Sequence, residues 1–119
     1  MENKNDIQEE TKAAGQTFDG GVTEEQIQAW KAKHGKVIRI DVIDDGDLHV
    51  GYFHRPRLET MSAVAKITKT DEIKGSETLF DNCWLGGSTA IRHDAILFME
   101  AGKQLAAMLS SCRSSIKNL

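Results

Sequence analysis

The sequence predicts an α+β domain in which a β-hairpin packs against about four helices, with a disordered N-terminal tail. Two observations lead to this fold class. Residues 37–53 alternate between apolar and polar positions around a central Asp-Gly pair, as two strands joined by a tight turn require. The other apolar residues after position 22 recur mainly at helical spacing, and no strand–helix–strand unit is present.

Residues 1–21 are the predicted flexible tail, and residues 22–119 are the single domain. The tail contains five acidic residues, two lysines and few large apolar groups, and it closes with the turn formers Asp19-Gly20-Gly21. Such a composition buries too little apolar surface to fold alone. A segment that folds on contact with a partner is the alternative interpretation.

The first helix and the hairpin have clear boundary signals. Thr23-Glu24-Glu25-Gln26 is a capping box that starts a helix, and Gly35 ends it. The apolar residues that share one face of each strand are Ile38, Ile40 and Val42, then Leu48, Val50 and Tyr52. Because an isolated hairpin is only marginally stable, one face must lie against helices or another chain, and the sequence leaves open which face this is.

Three more helices are predicted after the hairpin. Pro56 is expected in the first turn of the second helix, and Thr70 or Ser76 is expected to cap the third, which stops at Gly86-Gly87. Asp94 is expected to cap the last helix. The apolar stripes of the third and last helices are Leu79, Phe80, Cys83 and Trp84, then Phe98, Ala101, Leu105, Met108, Leu109 and Cys112.

Composition narrows the classes of function. The net charge of −3 gives no electrostatic case for nucleic-acid binding, and no apolar run reaches the ~20 residues needed to span a membrane. The N-terminus lacks the apolar region of a signal peptide. Cys83 and Cys112 lie in apolar helical patterns, which favours buried free thiols in a reducing cytoplasm, with a disulfide as the second interpretation.

The sequence predicts no catalytic, metal-binding or cofactor-binding residues. A Cys83 nucleophile activated by His49, His54 or His93 is the enzymatic alternative, but an inert core thiol is the preferred interpretation. His49 and His54 are five positions apart on one strand, so they lie on opposite faces and cannot bind one metal ion.

Two polar segments are further candidates for a binding site. Gly86-Gly87-Ser88-Thr89 lacks the lysine of a phosphate-binding loop and is interpreted as a helix stop followed by a cap. His54-Arg55-Pro56-Arg57 is a short basic segment between a strand and a helix. It is either a solvated turn or a contact for an acidic partner or a phosphate.

Three segments together resemble a known group of proteins. They are Trp30-Lys31-Ala32-Lys33-His34-Gly35-Lys36, then Arg55-Pro56-Arg57, then Asn82-Cys83-Trp84-Leu85-Gly86-Gly87. In this order they resemble a family of small uncharacterised phage and prophage proteins, many from Bacteroidetes-like hosts, described as tail-assembly-chaperone-like. The resemblance covers about residues 22–112.

This resemblance implies a non-enzymatic, cytoplasmic protein that has no cofactor and keeps an apolar helical partner, the tape-measure protein, soluble. The alternative is a structural or regulatory adaptor of a mobile element that self-associates through the hairpin edge or the last helix. The candidate partner contacts are Trp30, Arg55, Arg57 and Trp84, although a core role is also open for the two tryptophans.

Overall fold

A computed structural model describes residues 15–119 and confirms the α+β fold class. The strands are β1 (Thr17–Phe18), β2 (Val37–Asp44), β3 (Asp47–His54) and β4 (Trp84–Gly87). The helices are α1 (Glu24–His34), α2 (Leu58–Thr68), α3 (Glu72–Cys83), α4 (Ala90–His93) and α5 (Ala95–Leu109).

The centre of the sheet is β3. One side of β3 pairs with β2 in an antiparallel hairpin along its whole length, from Val37↔His54 to Asp44↔Asp47. The other side pairs with two short strands, the parallel β1 at its beginning and the antiparallel β4 at its end. The turn between β2 and β3 places Asp45 and Gly46 at positive φ, as predicted for the Asp-Gly pair.

The two faces of the sheet are covered by different helices. On one face, Ile40, Val42 and Phe53 pack into the main core formed with α3, α4 and α5. On the other, Tyr52 lies against Trp30 of α1, with ring centroids 5.7 Å apart. The predicted apolar face of β2 is therefore confirmed. The prediction for β3 was incomplete, because this strand is buried on both faces and its other face carries Phe53.

The main core combines aliphatic side chains with a compact aromatic cluster. Phe53 makes edge contacts with Phe80 and Trp84 at centroid distances of 5.1 and 5.4 Å, and Phe80 and Trp84 stack at 5.3 Å. Such aromatic pairs stabilise a fold by about 0.5–1.5 kcal/mol each beyond the effect of area burial. The buried residues of this core are Ile40, Val42, Phe53, Leu79, Phe80, Cys83, Ile91, Leu97, Phe98, Ala101 and Leu105.

Three predicted helix boundaries are confirmed in atomic detail. The Thr23 hydroxyl accepts the Gln26 N–H at 3.2 Å, while the Gln26 side chain accepts the Thr23 N–H at 2.9 Å. Gly35 ends α1 at a φ of 85°. The Asp94 carboxylate accepts the N–H groups of Ile96 and Leu97, so it caps α5 as predicted.

Two other predicted boundaries were wrong, and one helix was missed. Pro56 lies outside α2, because Arg57 is the N-cap residue of that helix. Asp71 caps α3 in place of Thr70 or Ser76, since its carboxylate accepts the Lys74 N–H at 3.0 Å. The short helix α4 was not predicted at all.

The N-terminal boundary was also placed too late. Thr17–Phe18 forms β1, so regular structure begins before the predicted start at position 22. This strand depends on a pairing with the distant β3, which local sequence signals do not reveal. Residues 1–14, the larger part of the predicted tail, lie outside the described residues.

Gly86-Gly87 was predicted to stop a helix, and this was wrong. Helix α3 ends at Cys83, and the next four residues form β4 against β3. The glycines instead allow the backbone of β4 to lie close to neighbouring residues. Gly87 has a φ of 133°, and a Cβ there would lie 2.3 Å from the Val50 carbonyl oxygen.

Gly87→Ala therefore introduces both a strained backbone and a clash with β3. We expect the free energy of unfolding to fall by at least about 1–3 kcal/mol, as measured by urea denaturation. Gly102→Ala is the matched control, because a Cβ at this position in α5 meets no atom within 4 Å. It should raise the free energy of unfolding by about 0.5–1 kcal/mol. Equal effects at both positions would contradict this account of β4.

Candidate functional site: two grooves that meet at Arg55

Two open grooves lie side by side and share Arg55 as a common wall. The edge groove, about 800 Å³ in volume, runs between β2 and the C-terminal end of α5. The residues that line it are Lys31, Gly35, Lys36, Val37, Ile38, Arg39, Ile40, Asp41, Arg55, Gln104, Ala107, Met108 and Ser111. The basic groove, about 570 Å³, is lined by Lys33, His34, His54, Arg55, Arg57, Glu59, Thr60 and Asn82.

The edge groove has apolar walls because it lies where the hairpin meets α5. Ile38 and Ile40 line it from the core-facing side of β2, and Ala107 and Met108 line it from α5. Within residues 15–119, no strand pairs with the outer edge of β2. The groove therefore combines apolar side chains with a strand edge, which are the two elements that bind peptides by groove insertion or strand addition.

The rim of the edge groove is predominantly basic. Lys31, Lys36, Arg39 and Arg55 face a single carboxylate among the lining residues, that of Asp41. The Arg39 Nε–H donates to this carboxylate at 2.7 Å. That hydrogen bond raises the pKa of Arg39, and the ion pair leaves three cationic side chains to set the charge of the rim.

The basic groove forms where the end of α1 meets the end of β3. The hairpin register pairs Val37 with His54, which brings His54 close to the last turn of α1. The His34 and His54 rings stack in parallel, with centroids 4.4 Å apart. The Arg55 carbonyl oxygen lies 2.7 Å from His54 Nδ1, so this nitrogen carries the proton and donates.

The charge of this groove changes the protonation of His34. Partial desolvation lowers the pKa of His34, and the neighbouring positive groups of His54, Lys33 and Arg57 lower it further. His34 is consequently neutral at neutral pH. It gains a proton only in a more acidic solution or when a negative charge enters the groove.

The structure brings two of the four predicted partner-contact residues together. Arg55 and Arg57 are exposed and both line the basic groove. Trp30 and Trp84 lie elsewhere. The first packs against Tyr52 and the second against Phe53 and Phe80. Both tryptophans are half-buried and help to join helices to the sheet, in keeping with the core role left open for them.

Sequence reasoning missed Lys33 and His34 in the basic groove and the α5 residues in the edge groove. A signal for the first pair existed, because a hairpin that begins at Val37 and ends at His54 must bring its two ends together. The basic last turn of α1 precedes one end, and the basic segment His54-Arg55-Pro56-Arg57 follows the other. No comparable local signal indicates that the end of α5 lies against β2.

The two cysteines have different environments. Cys83 is fully buried, and burial raises the pKa of its thiol to about 11. Cys112 lies beyond the end of α5 and is exposed, so the prediction that it belongs to a buried helical stripe was wrong. Both thiols are free.

The histidines outside the basic groove have structural contacts or lie at the surface. His49 Nδ1 is 2.9 Å from the Ser88 hydroxyl, and the His49 ring stacks on Phe18 of β1. His93, at the end of α4, is exposed. Within residues 15–119, no group of three or more His, Cys, Asp or Glu side chains is arranged to hold a metal ion. The helices in this part of the chain are also too short or too polar to cross a bilayer.

Comparison with known proteins adds information on the fold. Neither a protein-family model nor a curated protein matches the chain. Among solved structures, the chain is similar to the uncharacterised protein rbstp2171 from Bacillus stearothermophilus, with a TM-score of 0.57 and 18% sequence identity. The match covers 77% of this chain and 99% of that protein. At this level of identity the similarity concerns the fold alone.

The environments of the thiols lead to a simple chemical test. In the native protein we expect iodoacetamide to modify Cys112 and to leave Cys83 unmodified near neutral pH, because only a thiolate reacts. Mass spectrometry of the intact protein and its peptides would measure this. Cys112→Ser should abolish modification of the native chain, whereas denaturation should restore modification of Cys83. Rapid modification of native Cys83 would contradict its burial and would revive the enzymatic alternative.

Proposed function

We propose that the chain is a non-enzymatic protein-binding module of the phage or prophage tail-assembly-chaperone type. It acts in the cytoplasm of a bacterial host and keeps an apolar helical partner, the tape-measure protein, soluble. The observation that carries this proposal is the edge groove, with its apolar walls and basic rim. The resemblance of the segments around Trp30, Arg55 and Cys83 to the phage family supplies the choice of partner.

The chemistry of the edge groove suits an amphipathic helix. A helix of this kind inserts apolar side chains from positions i, i+3, i+4 and i+7 into a groove. The apolar walls from β2 and α5 would receive these side chains. Lys31, Lys36 and Arg55 at the rim would then face the flanks of the bound helix. Acidic residues on those flanks would increase the association rate and fix the orientation of the helix.

The walls of the groove are packed against the main core, and a site that is held in place loses less entropy on binding. Ile40 is buried in the main core and Ile38 packs against this core, so one face of β2 is held in place by the core. Leu105 anchors the last turns of α5 in the same core, while Ala107 and Met108 line the groove. Such a preformed site needs little rearrangement on binding.

A self-associating adaptor is the second candidate function. The observation that favours it is the eight-residue outer edge of β2, which could pair with the same strand of a second copy. Against it, Arg39 and Asp41 place two charges in the middle of this strand, and charged side chains commonly discourage edge-to-edge pairing. Sedimentation of the purified chain distinguishes the two functions, because a tight symmetric dimer without a tail-protein partner favours the adaptor.

Ala107→Glu tests the edge groove directly. Co-expressed with the tape-measure protein encoded near its gene, the native chain should keep that protein soluble and should co-purify with it. A carboxylate at position 107 places a charge among the apolar walls, so we expect affinity to fall by at least about tenfold. Pull-down and titration with the purified partner would measure the change.

Ala106→Glu is the matched control, because Ala106 is exposed on α5 but does not line the groove. It adds the same charge to the same helix and should leave binding unchanged. Equal losses for the two variants would count against the edge groove as the binding site. If the native chain neither keeps the tape-measure protein soluble nor co-purifies with it, the proposed function itself is refuted.

A further inference from the structure

We propose that the basic groove binds a small-molecule phosphate monoester, with its phosphoryl oxygens between the His34–His54 pair and the guanidinium groups of Arg55 and Arg57. This site shares only Arg55 with the edge groove, and it does not require the chaperone function. The inference rests on the convergence of cationic groups, the types of hydrogen-bond donor and the stacked imidazoles.

Cationic groups converge on this groove from three directions. Lys33 and His34 come from the end of α1, His54 from the end of β3, and Arg55 and Arg57 from the segment that leads into α2. Glu59 is the one carboxylate among the lining residues. A chain with a net charge of −3 thus concentrates positive charge at one place, where it attracts anions.

Three cations of the basic groove make no ion pair within residues 15–119. The ion pairs found within residues 15–119 use Arg39, Arg92 and Lys103, each with a nearby carboxylate. The cations of the basic groove, Lys33, Arg55 and Arg57, are not among them. Among the described residues no carboxylate neutralises their charge, and Arg55 makes one weak contact, from Nη2 to Cys112 Sγ at 3.8 Å.

The donors match a phosphoryl group in number and type. Arginine offers a planar fork that binds phosphate oxygens through two hydrogen bonds, and lysine adds a point charge. The Thr60 hydroxyl and the Asn82 amide supply neutral donors on the α2 and α3 sides. Asn82 uses one N–H on the Thr78 carbonyl oxygen at 2.8 Å, which leaves the other. The groove volume of about 570 Å³ lies in the range of small-ligand sites, so it has room for an organic group beyond the phosphate.

The stacked imidazoles make binding sensitive to pH. The His34 ring lies 4.4 Å from the His54 ring, and this neighbour together with Lys33 and Arg57 opposes protonation of His34 and lowers its pKa. Glu59 offsets part of this effect, whereas Thr60 and Asn82 are neutral. A bound dianion supplies the missing negative charge and favours proton uptake by His34. Affinity should therefore rise as the pH falls through the range in which His34 gains a proton.

The test is a titration of the full chain, followed by NMR, at constant ionic strength set with chloride. Ribose 5-phosphate is the probe for the monoester, and inorganic phosphate is the probe for the phosphoryl group alone. We expect both to shift signals of the basic groove, with ribose 5-phosphate binding more tightly. Inorganic phosphate binding as tightly as ribose 5-phosphate would overturn the assignment of a monoester, and shifts absent for both would overturn the site.

Arg57→Gln should weaken ribose 5-phosphate binding by about tenfold, the effect of one lost charge-assisted contact. Lys69→Gln is the matched control, since it removes the same charge at the opposite end of α2. Lys33→Gln provides a second variant on a different element in case Arg57→Gln disturbs the helix start. Equal weakening by Arg57→Gln and Lys69→Gln would show non-specific attraction and would refute the site.

Sulfate is the probe for the pH dependence, because it stays dianionic between about pH 5 and about pH 8. Its affinity should be higher at about pH 5 than at about pH 8, and His34→Gln should reduce this difference. A pH dependence unchanged in His34→Gln would refute the role of the imidazole pair. Ala107→Glu should leave anion binding intact, so failure of this proposal and failure of the chaperone proposal are distinguishable.

Discussion

The pairing of β3 on both of its edges is the constraint on which the rest of the structure depends. This strand is the only one, among residues 15–119, that contacts all three of the others. Its position brings Phe53 into the main core on one face and Tyr52 against α1 on the other. Both layers of helices are therefore fixed to the same eight residues.

The same strand determines the position of both grooves. Its end at His54 brings the chain back beside α1, and the following residue, Arg55, lies between the two cavities. The edge groove exists because β2 is paired on only one side in this part of the chain. The basic groove exists because the antiparallel hairpin brings together two basic stretches that are about 20 positions apart in the sequence. A single strand register thus creates two surfaces of different chemistry.

Local signals predicted the parts of the fold that local interactions determine. The capping box at Thr23, the glycine at the end of α1 and the Asp-Gly turn were correct because each depends on residues a few positions apart. Pairings over long sequence distances were missed, namely β1 and β4. Gly86-Gly87 shows the reason. Glycine ends helices and also permits close packing of strands, and only the distant Val50 carbonyl and Trp30 ring decide between these roles.

Only some residues of the candidate site could be predicted from the sequence. Arg55 and Arg57 were identified because they are adjacent in sequence, whereas Lys33 and His34 join them only through the hairpin. The two tryptophans were predicted as candidate contacts but lie outside both grooves. Large aromatic residues are typical of interfaces and of cores alike, and burial against Tyr52, Phe53 and Phe80 could be seen only in three dimensions.

The short strand β1 has a consequence for local opening of the fold. It pairs with β3 through two residues, and the adjacent Leu48 N–H donates to the Gln16 carbonyl oxygen at 2.8 Å. So small a unit can detach without disturbing the main core, because Phe18 is partly exposed and stacks only on His49 among the aromatic rings. Detachment would expose the amide of Leu48 to solvent. Amide hydrogen exchange at this residue would then proceed faster than at Tyr52, which lies opposite β4 and not β1, and it would report the opening of the N-terminal strand separately from global unfolding.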